Sequence, residues 1–325
     1  MREPLFMLLL ALAWFGAIDL AVSAVVAAVG SLMDRGVVRL SPRREPAALL
    51  ALKLAPGFAG LFFTLALFLP AQWRFEPPRA DESAGYTLVA LGLLGAAMLL
   101  SAARRAVRDW LATRRLEREW RRRAVGRLDG AAPDLPIYGL PDDRPVVSMT
   151  GLWRPRVFVS RAVRRELTDD ELDASLAHER AHHQSRDNLK RLAVACSPDL
   201  LDVWAGGRAI ERRWREAIEF AADARAAGGS ERRAVLLASA LLKVARMTPP
   251  GALPAAGSTF HDGAPIAERI SRLLAPAAPG ESGRTFGRAW SGALCGMTAV
   301  AALLAAEGAW LAVHAATEGL VRFLP

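Results

Sequence analysis

The sequence predicts an α-helical membrane protein with four transmembrane helices and a globular α+β domain set between the third and the fourth. Two observations carry this expectation. Apolar runs over 5–33, 54–70 (extendable back to 47), 84–103 and 289–313 each approach the ~20 residues that a helix needs to cross a bilayer. The stretch between the last two, 104–285, is charged, mixes helical with alternating periodicity, and is long enough for one ordinary domain. The expected organisation is therefore three spans within 1–103 (5–33, 47–70 and 84–103), a domain over 104–285, and a final span with a short tail over 286–325.

The first run contains Val22-Ser23-Ala24, which resembles a signal-cleavage site. The apolar stretch continues past it and only Met1-Arg2-Glu3 precedes it, so a retained span is expected. Asp19 lies mid-span and should face the bundle interior beside a polar group. Lys53 is expected to snorkel to the headgroups, and Glu307 and His314 to lie near the opposite interface. Trp290 and Trp310 fit an aromatic belt. The two cysteines, Cys196 and Cys295, exclude a disulfide framework and a paired-cysteine zinc module.

Charge sets the orientation. The first connection carries Arg35, Arg39, Arg43 and Arg44, and the third run leads into ARRAVRDWLATRRLEREWRRRAVGR, with ten arginines against three acids. The 71–84 connection is balanced or slightly acidic. The excess of arginine on the cytoplasmic side of membrane proteins places the 104–285 domain in the cytoplasm and both termini outside. The basic run also has the composition of a nucleic-acid patch, and part of it reads as a solvated helix face. Its position directly against a span favours anchoring at the membrane surface, and no nucleic-acid partner is expected.

Within the domain, PIYGL and RPVVSMTGLWRPRVFVS are β-branched stretches punctuated by Gly and Pro, which predicts two or three strands with a turn at 151–155. Thr168-Asp169-Asp170-Glu171 is a capping box that opens a helix over 169–184. Further helices are expected over 188–195, 206–227, 231–246 and 266–274, with a Pro/Gly-rich loop over 248–264.

Near the end of the 169–184 helix stands HERAH. His178 and His182, four apart, project from one helical face and can offer ring nitrogens to one ion. Glu179 is rotated about 100° from His178, beside the ion, where a general base must stand to deprotonate an attacking water. A catalytic zinc needs a third protein ligand. His183 points off the shared face, and Ser185 and Asn188 stand where the metzincin pattern needs Gly and a further ligand. The other route takes a carboxylate from a later helix, and REAIEFAADARAA offers Glu216 and Glu219. Glu219 as ligand, with Asp223 accepting from a ligand histidine, is the economical assignment; Glu216 remains the alternative. His183 is expected to be a surface or packing residue or a substrate contact.

HExxH with a distant E-x-x-x-D resembles the gluzincin metallopeptidases. The longer pattern, HERAHHQSRDNLKR preceded by RPRVFVS and LTDDELDASLAHE, is similar to the BlaR/MecR family of membrane-embedded zinc peptidases, and EFAAD and AERISRLL resemble segments of HtpX-type and CAAX-type membrane peptidases. Asp187 matches a recurrent acidic position of the BlaR/MecR family, though an ion pair with Arg186 or Arg191 accounts for it equally well. The resemblance implies a gluzincin-like fold, Zn2+ held by His178, His182 and Glu219, and Glu179 as catalytic base. It also implies an edge strand that holds substrate, for which Arg156, Val157 and Phe158 are the candidates. Sensor members carry a penicillin-binding domain after the fourth span; this sequence ends at Pro325, soon after its own, and that domain is expected to be absent. The expected function is endoproteolysis of protein or peptide substrates at the cytoplasmic membrane face, in regulatory repressor cleavage. The alternatives are an HtpX-like quality-control peptidase and a non-proteolytic zinc-binding scaffold.

Overall fold

A computed structural model describes residues 3–38, 40, 44–75, 85–128, 135–248, 265–275 and 307–323. Among the described residues, three helices are long and apolar enough to cross a membrane. The first is α1 (Glu3–Asp34). The second is α2 (Glu45–Phe62), continued by a π-helical turn (Phe63–Phe68) into α3 (Leu69–Phe75). The third is α4 (Tyr86–Arg123), which merges the expected span and the basic segment after it into one helix of 38 residues. At 1.5 Å per residue it is about 57 Å long against ~30 Å of hydrocarbon, so its arginine-rich end projects well past any bilayer that its apolar part crosses.

The run expected to form a fourth span lies mostly outside the described residues, as does Trp290. Its described part is helical from Glu307 and continues to Phe323, beyond the end that the apolar run suggested. Trp310 of this helix donates to the Ala66 carbonyl in the π-helical turn at 3.2 Å. Asp19 is fully buried and accepts a hydrogen bond from Ser23, one turn along α1, at 3.1 Å.

Among the described residues, four strands form the sheet: β1 (Gly126–Arg127), β2 (Ile137–Leu140), β3 (Val147–Thr150) and β4 (Arg156–Ser160), in the order β1-β2-β4-β3. β2 and β4 run parallel, and both outer pairs are antiparallel. Helices α5 (Arg161–Glu166), α6 (Asp169–Ser185), α7 (Asp187–Cys196), α8 (Ala205–Ala227), α9 (Glu231–Met247) and α10 (Ile266–Leu274) follow. The capping box forms as the sequence suggests: Thr168 Oγ1 accepts the Glu171 N–H at 3.3 Å, and Glu171 Oε2 accepts the Thr168 N–H at 2.8 Å. α6 ends at Arg186, whose left-handed backbone (φ 55°) turns the chain directly into α7.

Two of the apolar clusters that hold this domain frame the site. The first packs β2, β3 and β4 against α6, α9 and α10, around Val157, Val159, Leu237 and Leu241. The second is shared with the apolar helices: Val26, Ala27 and Met33 of α1 and Leu49 and Leu50 of α2 pack with Ile210, Trp214 and Ile218 of α8. α1 and α8 approach so closely that a Cβ on Gly206 would meet the Ala27 carbonyl oxygen at 1.9 Å, which only glycine permits. Lys53 departs from expectation. It does not snorkel; it is 2% exposed, with Nζ 2.7 Å from Asp202, 3.2 Å from Glu211 and 3.6 Å from Asp199. A hydropathy reading sees a cation near a span end, whereas the fold brings carboxylates from a distant part of the chain to enclose it.

Candidate metal centre

The site lies where α6, α8 and α10 meet the free side of β3. Because α6 places His178 and His182 one turn apart, their Nε2 atoms stand 3.0 Å from each other. α8 brings Glu219 against both, with Oε2 3.5 Å from His178 Nε2 and Oε1 3.6 Å from His182 Nε2. All three side chains are buried to within 1%. Among the described residues, this trio is the group of three His, Cys, Asp or Glu that could hold a metal ion. Donors bound at ~2.0–2.1 Å to one tetrahedral ion lie about 3.3 Å apart, so these spacings fit a His/His/Glu zinc site. Glu219 Oε2, wholly buried, faces Arg269 Nη1 at 3.2 Å and His178 Nε2 at 3.5 Å without a well-formed hydrogen bond to either.

Both histidine rings are held from behind. Asp223, one turn beyond Glu219 on α8, meets His178 Nδ1 at 2.8 Å. Asp187, at the start of α7, meets His182 Nδ1 at 2.7 Å and also takes Lys190 Nζ at 2.7 Å. A carboxylate on Nδ1 fixes the ring and leaves Nε2 as the donor atom, the usual arrangement behind a metal-bound histidine. The ion pair of Asp187 is thus with Lys190, and the sharp turn at Arg186 is what returns Asp187 beneath His182.

Electrostatics favour a cation here. Burial opposes a charged His182 ring, but Asp187 and Glu219 override it and lift the imidazole to about 9. The same field favours a dication in place of that proton. Burial alone would raise the Glu219 carboxyl; the two histidines and Arg269 outweigh it and hold it well below the usual carboxylate range. Asp223 is likewise kept low by Arg269 and His178 against its burial.

Glu179 is completely buried and accepts the Met149 backbone N–H at 2.9 Å. The register explains that bond. Ser160 donates to the Val146 carbonyl, so in the antiparallel ladder the Val147 and Met149 backbone groups point away from β4 toward the unpaired edge, although all four residues of β3 are buried. β3 is therefore the edge strand beside the site. Arg156, Val157 and Phe158, expected to form that edge, lie instead in the inner strand β4. Val157 and Phe158 are fully buried, and Arg156 pairs with Glu117 of α4. Both strands read as apolar, and local periodicity does not reveal which has the free edge.

Glu216 is half-buried and outside the converging group; burial and then neighbouring Glu268 push its carboxyl up. His183 is partly exposed and also stands apart. Arg269 is the residue that sequence reasoning missed. Only 1% exposed, it reaches Asp223 with Nε at 2.8 Å and Nη2 at 2.6 Å, and lies 3.2 Å from Glu219 through Nη1. Its signal was present: Ile266, Arg269, Ile270 and Leu273 fall at helical spacing on one face of α10, and a cation within an apolar stripe needs a buried partner.

The model of peptidase family M48 matches residues 145–218, from the edge strand through α6 and along α8 to the residue before Glu219. M48 peptidases are zinc-dependent, and the match supports a membrane-associated zinc metallopeptidase. No curated protein matches the chain.

Proposed function

We propose that this chain is an integral-membrane zinc endopeptidase of BlaR/MecR-like type, which cleaves protein segments at the cytoplasmic face of the cell membrane, transcriptional repressors among them. The observation that carries the reading is the convergence of His178, His182 and Glu219 with buried Glu179 at their side. His178, His182 and Glu219 would hold the ion, and Asp223 and Asp187 would orient the rings. When bound, zinc supplies a Lewis acid for the scissile carbonyl and raises the acidity of water. Glu179 would take the proton of the attacking water and later deliver it to the leaving amine. The Met149 N–H at its Oε2 fixes how that carboxylate is presented. Arg269 would keep Glu219 and Asp223 ionised and in place. The outward N–H and C=O of Val147 and the C=O of Met149 would align an extended substrate by strand addition, the Met149 N–H being taken by Glu179.

A base in this setting argues against a scaffold, which has no use for one. The cytoplasmic side follows from the arginines after the third apolar helix and in the first connection, with the termini outside.

Glu179→Gln in the purified full chain decides the matter. Zinc content should remain one per chain while proteolysis falls by ~100-fold or more, the scale of a lost general base. Zinc-dependent cleavage at the original rate would end the proposal.

A further inference from the structure

The metal ligands come from two elements anchored in different ways. α6 is fixed to the sheet layer by its capping box and by the Glu179–Met149 bond. α8, which carries Glu219, has its first half built into the apolar helices. Gly206 lies against Ala27 and Gly30 of α1. Arg213 donates to the Met33 carbonyl at 2.7 Å and reaches Glu45 Oε1 at 3.2 Å. Arg212 meets Asp34 at 2.9 Å.

Lys53 completes this clamp from α2. Asp202 lies in the 3-10 turn (Leu201–Val203) that leads into α8, and Asp199 just before it accepts the Leu201 N–H at 3.0 Å. Glu211 is on α8 itself, eight residues and about 12 Å along the axis before Glu219. One ammonium therefore joins α2 to the turn and to the helix together. Apolar packing lets a helix slide along its axis or roll at small cost. A buried cation with partners on two successive elements does not, because displacement strands charge without solvent.

Resting on the zinc-peptidase reading above, we propose that Lys53 is a positioning residue for the metal centre. Through Asp202 and Glu211 it sets the height and rotation of α8, and thereby where Glu219 stands relative to the histidines of α6. The geometry of the centre then depends on the placement of the apolar helices and not on the peptidase layer alone.

The test uses the full chain in lipid-bilayer discs, comparing Lys53→Met, Lys53→Arg and, as a control of folding, Leu140→Ala. Leu140 is buried in the sheet with Trp120, Val146 and Phe158, away from α8. Zinc affinity is read by chelator competition, metal-free stability by thermal unfolding, and kcat and KM on an unstructured peptide. Lys53→Met should weaken zinc binding about tenfold or more, the scale of a lost outer contact, and lower kcat more than it raises KM. Lys53→Arg should restore affinity, and Leu140→Ala should lower the melting temperature with affinity unchanged. Should Lys53→Met fail to fold, Glu211→Gln carries the same expectation at smaller size. Unchanged zinc affinity in the folded variant, or a loss no greater than in Leu140→Ala, overturns the proposal. A wild-type chain that binds zinc but cuts nothing overturns the peptidase reading alone, since the affinity comparison still decides the role of Lys53.

Discussion

The two halves of the candidate metal centre contrast in how they are held. His178, Glu179 and His182 sit within five residues of one helix, whose start is closed by its own capping box and whose end turns back to supply Asp187. Glu219, Asp223 and Arg269 come from two helices, and each depends on the others: Arg269 spans both carboxylates, and Asp223 is shared between Arg269 and His178. A short motif can build a half-site by local rules, but the other half exists only when distant layers dock. The first half should therefore tolerate disturbance of the apolar helices, and the second should not.

The strongest way to break that contrast is at the contact of α1 with α8. Gly206→Ala places a methyl group on the Ala27 carbonyl, and backbone must move to relieve it. The expected loss is at the upper end of overpacking costs, about 3 kcal/mol, read as a lower melting temperature with weakened zinc binding. An unaltered melting temperature would show that α8 does not need this contact.

An intermediate effect compares the two aspartates. Each holds one of the two histidines proposed to bind the ion, so each change to alanine should cost about 10–100-fold in zinc affinity. Asp223→Ala also removes the two hydrogen bonds that Asp223 accepts from the buried Arg269, so it should cost more than Asp187→Ala. Equal losses would mean that Arg269 contributes nothing to the centre.

The smallest effect belongs to the local half. Glu171 accepts from Ser239 and Lys243 as well as from the Thr168 N–H. Its burial opposes ionisation, but Lys243, Ser239 and the Thr168 N–H prevail and bring the carboxyl from 4.5 down to about 2. A carboxyl lowered on folding contributes its full stability above its unfolded value and loses it as pH falls through the folded one. Glu171→Gln should thus destabilise the metal-free protein by about 1–2 kcal/mol at neutral pH. The gap to wild type should close between pH 4.5 and about 2. A gap independent of pH would assign the effect to shape and not to charge.

This contrast also accounts for what the sequence disclosed. α6 was legible almost to the residue because capping, periodicity and the HERAH spacing are all local. Glu219 and Asp223 were legible as a pair because a candidate ligand and a carboxylate to support it share a helical face one turn apart. Glu216 competed with Glu219, and only the rotation of α8 separates them. The edge strand was misassigned because β3 and β4 are equally apolar and their order depends on pairing. Lys53 was misread because its nearest partner, Asp202, stands 149 residues away in the chain. Arg269 was visible as a cation within an apolar stripe, but the carboxylates awaiting it belong to another helix.

The single helix α4 has a consequence of its own. Its far end carries the sheet: Trp120 packs edge-on against Phe158, Glu117 pairs with Arg156, and Arg123 pairs with Asp142. If the bilayer ends near Arg104, Trp120 stands about 24 Å above it, since a helix rises 1.5 Å per residue. An extended chain covers that height in about seven residues. The helix is then a ruler. The sheet end of α4 stands off by that length, while α8 packs directly on α1 and α2.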